Sequence, residues 1–481
     1  MAQNNSQVYL KYLLSGSTPS ATKALLDQVS VEEMIFQLAT LTSEAFVPFD
    51  SEPEDDSSEI PALDEKFVGN LIVRCLDSVL DSRSYEVIFK NEQIMSVIRQ
   101  RISESNYYVK RLISNHMRKF IENGGRNEDV YDLVFNMLFE KEYVVFEDAS
   151  SSICSIASRR GEPRYLTRNR LNILMDYISG HEETEHLDKV SMALRLLEFC
   201  TKLGKASNEC FELLRDEEAY DAIFKLYMKE DVLVKLNCLE ILDAMIPLIK
   251  KLKFESKASR EFVAHAVSLF TKRDLDVEAD MVTGPLLRFF STIVLIENVL
   301  NESETELFSK CVAENLLNAN SKSVQYYSSL ACFGPMYVRG LLDEEVSEKF
   351  LNVVRSCTHE DTLYSCLESL QFVADSGDES KRKFISEAAK NVIHAISKFP
   401  FGEVREACFQ LLLSSLEFEG VTELLVSSEL ESRLLSTQEN NYETTLTKRR
   451  LIKKFLASVE EKYRDSTSPL PESVVRSLRG I

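Results

Sequence analysis

The feature that most constrains this chain is a four-residue apolar spacing that returns at a nearly fixed interval. In "EDVLVKLNCLEILDAMI" (Glu230 to Ile246), Val234, Cys238, Leu239 and Leu242 stand at i, i+4, i+5 and i+8, which lines one face of a helix. The same spacing fits Val282, Leu286, Leu287 and Phe290, and it fits Val404, Cys408, Phe409 and Leu412. It also fits Thr362, Cys366, Leu367 and Leu370, and Phe67, Leu71, Ile72 and Cys75. Weaker matches at Val109, Val145, Leu187, Val324 and Leu446 fill the intervals. The ten anchors then follow one another at a median of 42 residues, between 36 (Val109 to Val145) and 48 (Val234 to Val282). One helix pair cannot cover such a stripe alone, but a stacked neighbour can, and a period near 42 belongs to armadillo and HEAT repeats.

Helical stretches between anchors supply the remainder of each unit. They include "AYDAIFKLYMK" (Ala219 to Lys229), "NRLNILMDYI" (Asn169 to Ile178) and "EEVSEKFLNVVRSC" (Glu344 to Cys357). The expected fold is therefore all-α, an armadillo/HEAT-like right-handed superhelical solenoid of about ten repeats. Fourteen Gly and eleven Pro in 481 residues are few, which suits helices joined by short loops. The array is expected to run as one continuous domain over 1–464. The acidic, Pro- and Ser-bearing stretch 47–64 reads as a flexible loop within it, and 465–481 as a mostly disordered tail.

The net charge of −21 disfavours nucleic acid and anionic lipid as partners and favours basic protein surfaces. No cofactor, no nucleic acid and no membrane is expected to bind, and the chain is expected to be a monomer. The most apolar window, "PLLRFFSTIVLI", carries Arg288 and is too short to span a bilayer. The N-terminal residues lack the pattern of a secretory signal. Ten Cys without a CxxC pair read as small core hydrophobes in a reducing compartment. The cytoplasm is the expected location, with the nucleus as a second compartment.

Catalytic chemistry finds little support. "HEETEH" (His181 to His186) separates its His by five positions, which turns them apart on a helix where HExxH would align them, so an acidic loop is expected there. GxGxxG, GxxxxGK and GxSxG are absent, and six His give little general-base capacity. No metal-ligand spacing of Cys and His occurs. No catalytic residue and no metal ligand is therefore assigned. Two basic clusters, Arg159, Arg160, Arg164, Arg168 and Arg170, then Lys448, Arg449, Arg450, Lys453 and Lys454, contain one aromatic between them, Tyr165. Base stacking is poorly served there, and ion pairs between repeats or solvated helix faces are the expected use. With no Trp, the chain cannot build the Trp and Asn ladder by which armadillo nuclear-import adaptors grip basic peptides.

"EDVLVKLNCLEIL", with "AYDAIFKLYMK" before it, resembles a segment of the 26S proteasome non-ATPase regulatory subunit five family, armadillo/HEAT chaperones of proteasome base assembly. "NYYVKRLISNHMRKFIENG" (Asn106 to Gly124), "DMVTGPLLRFFSTIVL" (Asp280 to Leu295) and "KFPFGEVREACFQLLLSSL" (Lys398 to Leu416) resemble the family in the same order and at similar spacing. The acidic run near Asp55 departs from the family's pattern. The resemblance implies a curved solenoid that binds the C-terminal domain of an ATPase subunit of the regulatory base and hinders premature docking on the core particle. It implies ATPase subunits and other base-assembly intermediates as partners, and no enzymatic activity. An alternative from another complex is an armadillo-type regulatory subunit such as the H subunit of the vacuolar proton pump. On the helix faces themselves, Tyr220, Ile223, Phe224 and Tyr227 are expected to pack inward, leaving Asp221, Lys225 and Met228 to meet the partner. Asn172 and Asp176 are expected to do so on the preceding "NRLNILMDYI".

Overall fold

The computed structural model describes residues 2–41, 65–82, 86–101, 107–159, 167–179, 187–216, 218–229, 231–271, 277–318, 323–399, 402–427, 434, 439 and 441–463. The stretches 47–64 and 465–481, on which a loop and a tail were expected, lie outside these residues. So do His181 to His186, Arg160 and Arg164. Among the described residues all regular structure is helical and no strand occurs.

The chain divides into two compact units, Met1–Ala222 and Ile223–Ile481. The first begins with α1 (Ala2–Leu14), α2 (Pro19–Leu26), α3 (Val31–Thr40), α4 (Glu65–Ser82), α5 (Glu86–Phe89) and α6 (Glu92–Arg101). It continues with α7 (Tyr107–Glu122), α8 (Glu128–Met137), α9 (Tyr143–Ala157), α10 (Arg168–Ser179), α11 (Leu187–Ala206) and α12 (Asn208–Asp216). The division falls within α13 (Asp221–Lys229). The second unit holds α14 (Val232–Leu252), α15 (Lys257–Thr271), α16 (Val277–Ile293), α17 (Glu302–Asn318), α18 (Val324–Val338) and α19 (Glu344–Ser356). It closes with α20 (Glu360–Asp375), α21 (Arg382–Lys398), α22 (Gly402–Ser415), α23 (Val421–Ser427) and α24 (Tyr442–Tyr463).

Within the second unit, α14, α16, α18, α20, α22 and α24 pack each on the next in one layer. A second layer, α15, α17, α19, α21 and α23, does the same beside it. In the first unit the corresponding series is α1, α4, α7, α9 and α11. This side-by-side stacking of helix pairs is an α-solenoid arrangement. All ten repeat anchors fall on the main series of the two units: α4, α7, α9 and α11 in the first, and α14, α16, α18, α20, α22 and α24 in the second.

Burial explains why the spacing was readable. On α9, α14, α16, α20 and α22 all four template positions are buried, from Val145, Ala149, Ser150 and Ile153 to Val404, Cys408, Phe409 and Leu412. Two assignments of register are corrected. On α11 the template selects Ser191, Met192 and Arg195, whereas the helix buries Ala193, Leu196, Leu197 and Cys200. On α24, Leu446 and Arg450 are exposed, and Thr447, Leu451 and Phe455 face the core. In both, polar residues had been accepted at template positions, and burial of the true apolar set outweighs them.

Local chemistry sets the helix starts. Asp231 accepts from the amides of Leu233 (2.9 Å) and Val234 (3.0 Å), Ser323 from Tyr326 (3.2 Å) and Asp343 from Val346 (2.9 Å). Each cap satisfies amides that the first helical turn leaves unpaired. Inside the stack, Gly284 lets α16 approach α18: a Cβ there would lie 2.6 Å from Val324 Cγ1 and 2.8 Å from Ser328 Oγ. Gly334 plays the same part where α18 meets α20. Phe333 on α18, Phe350 on α19 and Phe384 on α21 join the two layers, with Phe333 and Phe350 stacked at 3.9 Å between centroids. In the first unit, buried His116 on α7 donates from Nε2 to Asp77 on α4 at 3.0 Å. All ten thiols are free, and eight are buried.

Candidate functional site

The expected partner-facing residues sit on two helices. On α10, Leu171, Leu174 and Ile178 are buried, while Asn172 and Asp176, one helical turn apart, are exposed. The same outer side also carries apolar groups, with Ile173 38% and Tyr177 51% exposed. On α13, Tyr220 just before the helix, then Ile223, Phe224 and Tyr227, are buried as their spacing required. Lys225 and Met228 are exposed and Asp221 is half-buried in the first turn. Asn172 and Asp176 belong to the first unit, and Lys225 and Met228 to the second.

Asp176 also borders a concavity of the first unit that sequence reasoning missed. The pocket, about 470 Å³, lies between the turn after α8, the C-terminal half of α10 and the N-terminal half of α11. One side is apolar: Phe139 and Tyr177 stack at 4.2 Å with planes 27° apart, and Met192 joins them. Among the described lining residues, Lys141, Lys189 and Arg195 supply three cations and Asp176 one carboxylate. Arg195 donates from Nη1 to the Lys141 carbonyl at 2.7 Å, and its guanidinium lies over the Tyr143 ring, 5.5 Å from the centroid. A backbone bond and a cation–π contact thus hold this side chain in one place before any partner arrives. Ser191, Met192 and Arg195 are the residues that the α11 template placed in the core. Two polar residues among those positions were the available signal that this face of α11 opens outward.

Four residues of the basic clusters, Arg159, Arg170, Lys448 and Lys454, are engaged within the protein. Arg159 donates to the Gly125 carbonyl (3.1 Å), to the Tyr131 hydroxyl (3.1 Å) and to the Ile121 carbonyl, and so covers the C-terminal end of α7. Arg170 pairs with Asp132 and lies 5.8 Å from the Phe135 ring centroid. Lys448 pairs with Glu439 at 3.4 Å, and Lys454 on α24 pairs with Glu417. These are ion pairs and carbonyl caps that hold neighbouring elements together.

Among the described residues no group of three His, Cys, Asp or Glu is arranged to hold a metal ion. No described helix is long and apolar enough to cross a membrane. Burial pushes the thiols of Cys75, Cys154, Cys200, Cys332 and Cys408 up to about 12.

No family model matches the chain, and no curated protein matches it. Among solved structures it is similar to importin beta crystallised from polyethylene glycol, with a TM-score of 0.55, 10% identity and 96% of this chain covered. It is likewise similar to importin beta from ammonium sulfate, with a TM-score of 0.53, 11% identity and 95% covered. In both, the chain spans 57% of the length of the importin beta it matches. At this identity the likeness extends to the fold, a HEAT-like helical repeat scaffold.

Proposed function

We propose that this protein is a non-enzymatic binding scaffold that serves as an assembly chaperone of the 26S proteasome regulatory base. It binds the C-terminal domain of an ATPase subunit and hinders premature docking on the core particle. The observation that carries this reading is the placement of the family-like stretches. α7 lies within "NYYVKRLISNHMRKFIENG", α13 within "AYDAIFKLYMK", the start of α14 within "EDVLVKLNCLEIL", most of α16 within "DMVTGPLLRFFSTIVL" and α22 within "KFPFGEVREACFQLLLSSL". They occur in the family's order, and their buried residues are those that stack one helix on the next. A repeat scaffold of this kind presents long rows of outward side chains on rigid helices, which suits recognition of a folded domain. The acidic balance suits a partner rich in Lys and Arg.

Native fractionation of cells, followed by affinity purification and mass spectrometry, tests it. The chain is expected with ATPase-containing subassemblies and nearly absent from finished 26S particles. Replacing Asp176 and Asp221 together by Lys should weaken that association while circular dichroism stays unchanged. Stoichiometric presence in mature proteasomes would make it a structural subunit. Recovery of proton-pump subunits in place of proteasomal ATPases would move it to the alternative scaffold class.

A further inference from the structure

We infer that the pocket between the α8–α9 turn, α10 and α11 is a docking site for an acidic protein segment that carries one large apolar side chain. The chain as a whole has a net charge of −21, whereas among the described lining residues three cations and one carboxylate border this concavity. The stacked pair Phe139 and Tyr177, with Met192, gives an apolar surface onto which a Phe, Tyr or Leu can lie. At about 470 Å³ the cavity is in the size range, roughly 300–1,000 Å³, that accepts such a group.

Arg195 makes the site specific for carboxylate. Its planar fork carries five donors, and one of them is committed to the Lys141 carbonyl, which fixes the group in place. A carboxylate presented beside the apolar anchor can then take charge-assisted bonds without the ordering cost of a free Arg. Lys189, exposed on the first turn of α11, adds a cation on the same rim. Among the described lining residues Asp176 is the one carboxylate, and it selects against segments whose carboxylates fall next to α10. A polyanion such as RNA has to bring many phosphates near this acidic chain to gain three cations. A short acidic peptide does not.

This adds a class of partner to the protein-binding reading without depending on the identity of any ATPase, and its test uses no proteasomal component. Fluorescence anisotropy of the full chain with a fluorescein-labelled peptide Glu-Asp-Phe-Glu-Asp-Leu is expected to show saturable binding that weakens with salt. Arg195→Gln and Tyr177→Ala should each weaken it about tenfold, as loss of an anchor does. Lys189→Glu, at an exposed position away from the core, should weaken it severalfold with an unchanged melting temperature. Asp176→Lys should tighten it, the opposite of its expected effect on a basic partner. Equal affinity for a peptide with Ala in place of Phe, equal affinity in the Lys189→Glu protein, or stronger binding of poly-U RNA would each overturn the inference.

Discussion

Ser369 on α20 reaches into the backbone of α18 and bonds to Gly334: the Gly334 amide donates to its hydroxyl at 3.0 Å. The same hydroxyl shares its hydrogen between the carbonyls of Ala331, at 2.8 Å, and Leu330. Proline at 335 has no N–H, so the Ala331 carbonyl loses its ordinary helical donor, and Ser369 replaces it. Removing the hydroxyl in Ser369→Ala takes a partner from a buried amide and from a buried carbonyl, which should cost about 1–3 kcal/mol in urea unfolding. Gly334→Ala should cost about as much by overpacking, because its Cβ would fall well inside contact distance of the Ser369 backbone. The double variant should show less than the sum, since both changes break one seam.

Leu239 is 2% exposed within the α14 face of the stack. Leu239→Asp puts an unpaired charge there and should lower stability by about 3–5 kcal/mol, visible as a large drop in melting temperature. Glu240, its exposed neighbour, serves as the control: Glu240→Ala should change stability by less than about 0.5 kcal/mol.

Acid should unfasten α4 from α7. The hydrogen bond from His116 holds the Asp77 carboxyl below its ordinary value of 3.8, with the nearby charges of His116, Lys119 and Arg111 assisting against partial burial. Because the folded value is depressed, this contribution is fully present above about pH 4 and is lost as pH falls through the folded value. Comparing urea unfolding of the parent and Asp77→Asn proteins from pH 6 downward, the gap between them should be constant at first and close below about pH 4.

Thiol chemistry should report folding. With all ten cysteines free and burial holding thiols such as Cys200 and Cys408 in the protonated form, native protein should react slowly with iodoacetamide at pH 8. The unfolded chain should react fully and fast. Cys357, whose rise is smaller and is opposed by Lys398 and by hydrogen bonds, is expected among the first labelled, as peptide mapping by mass spectrometry would show.

The repeat was legible because stacking demands it. Wherever a helix of the main series is covered on both sides, as α16 and α20 are, four buried positions must recur, and Val282, Leu286, Leu287 and Phe290 or Thr362, Cys366, Leu367 and Leu370 obey. The register failed on α11 and α24, where Ser191, Arg195 and Arg450 occupy positions that only packing could decide. The exposure of Asn172, Asp176, Lys225 and Met228 could be read from helical phase alone. The pocket beside Asp176 could not, because it arises where a turn, Phe139 to Lys141, meets the sides of two helices from different parts of the chain. Periodicity describes faces, and a concavity depends on how ends and turns come together.

Within each unit the main-series helices pack on the members before and after them, so a unit behaves as a short row of tiles. Among the described helices of the main series α24 packs on α22 alone, so opening it breaks one such interface, whereas opening α18 or α20 breaks two. Amides of α24 should therefore exchange with solvent sooner than those of α18 and α20, even though all three are regular helices. Such a gradient leaves the seam around Ser369 as the part that persists longest while the second unit frays, and makes the order of exchange a map of position along the row.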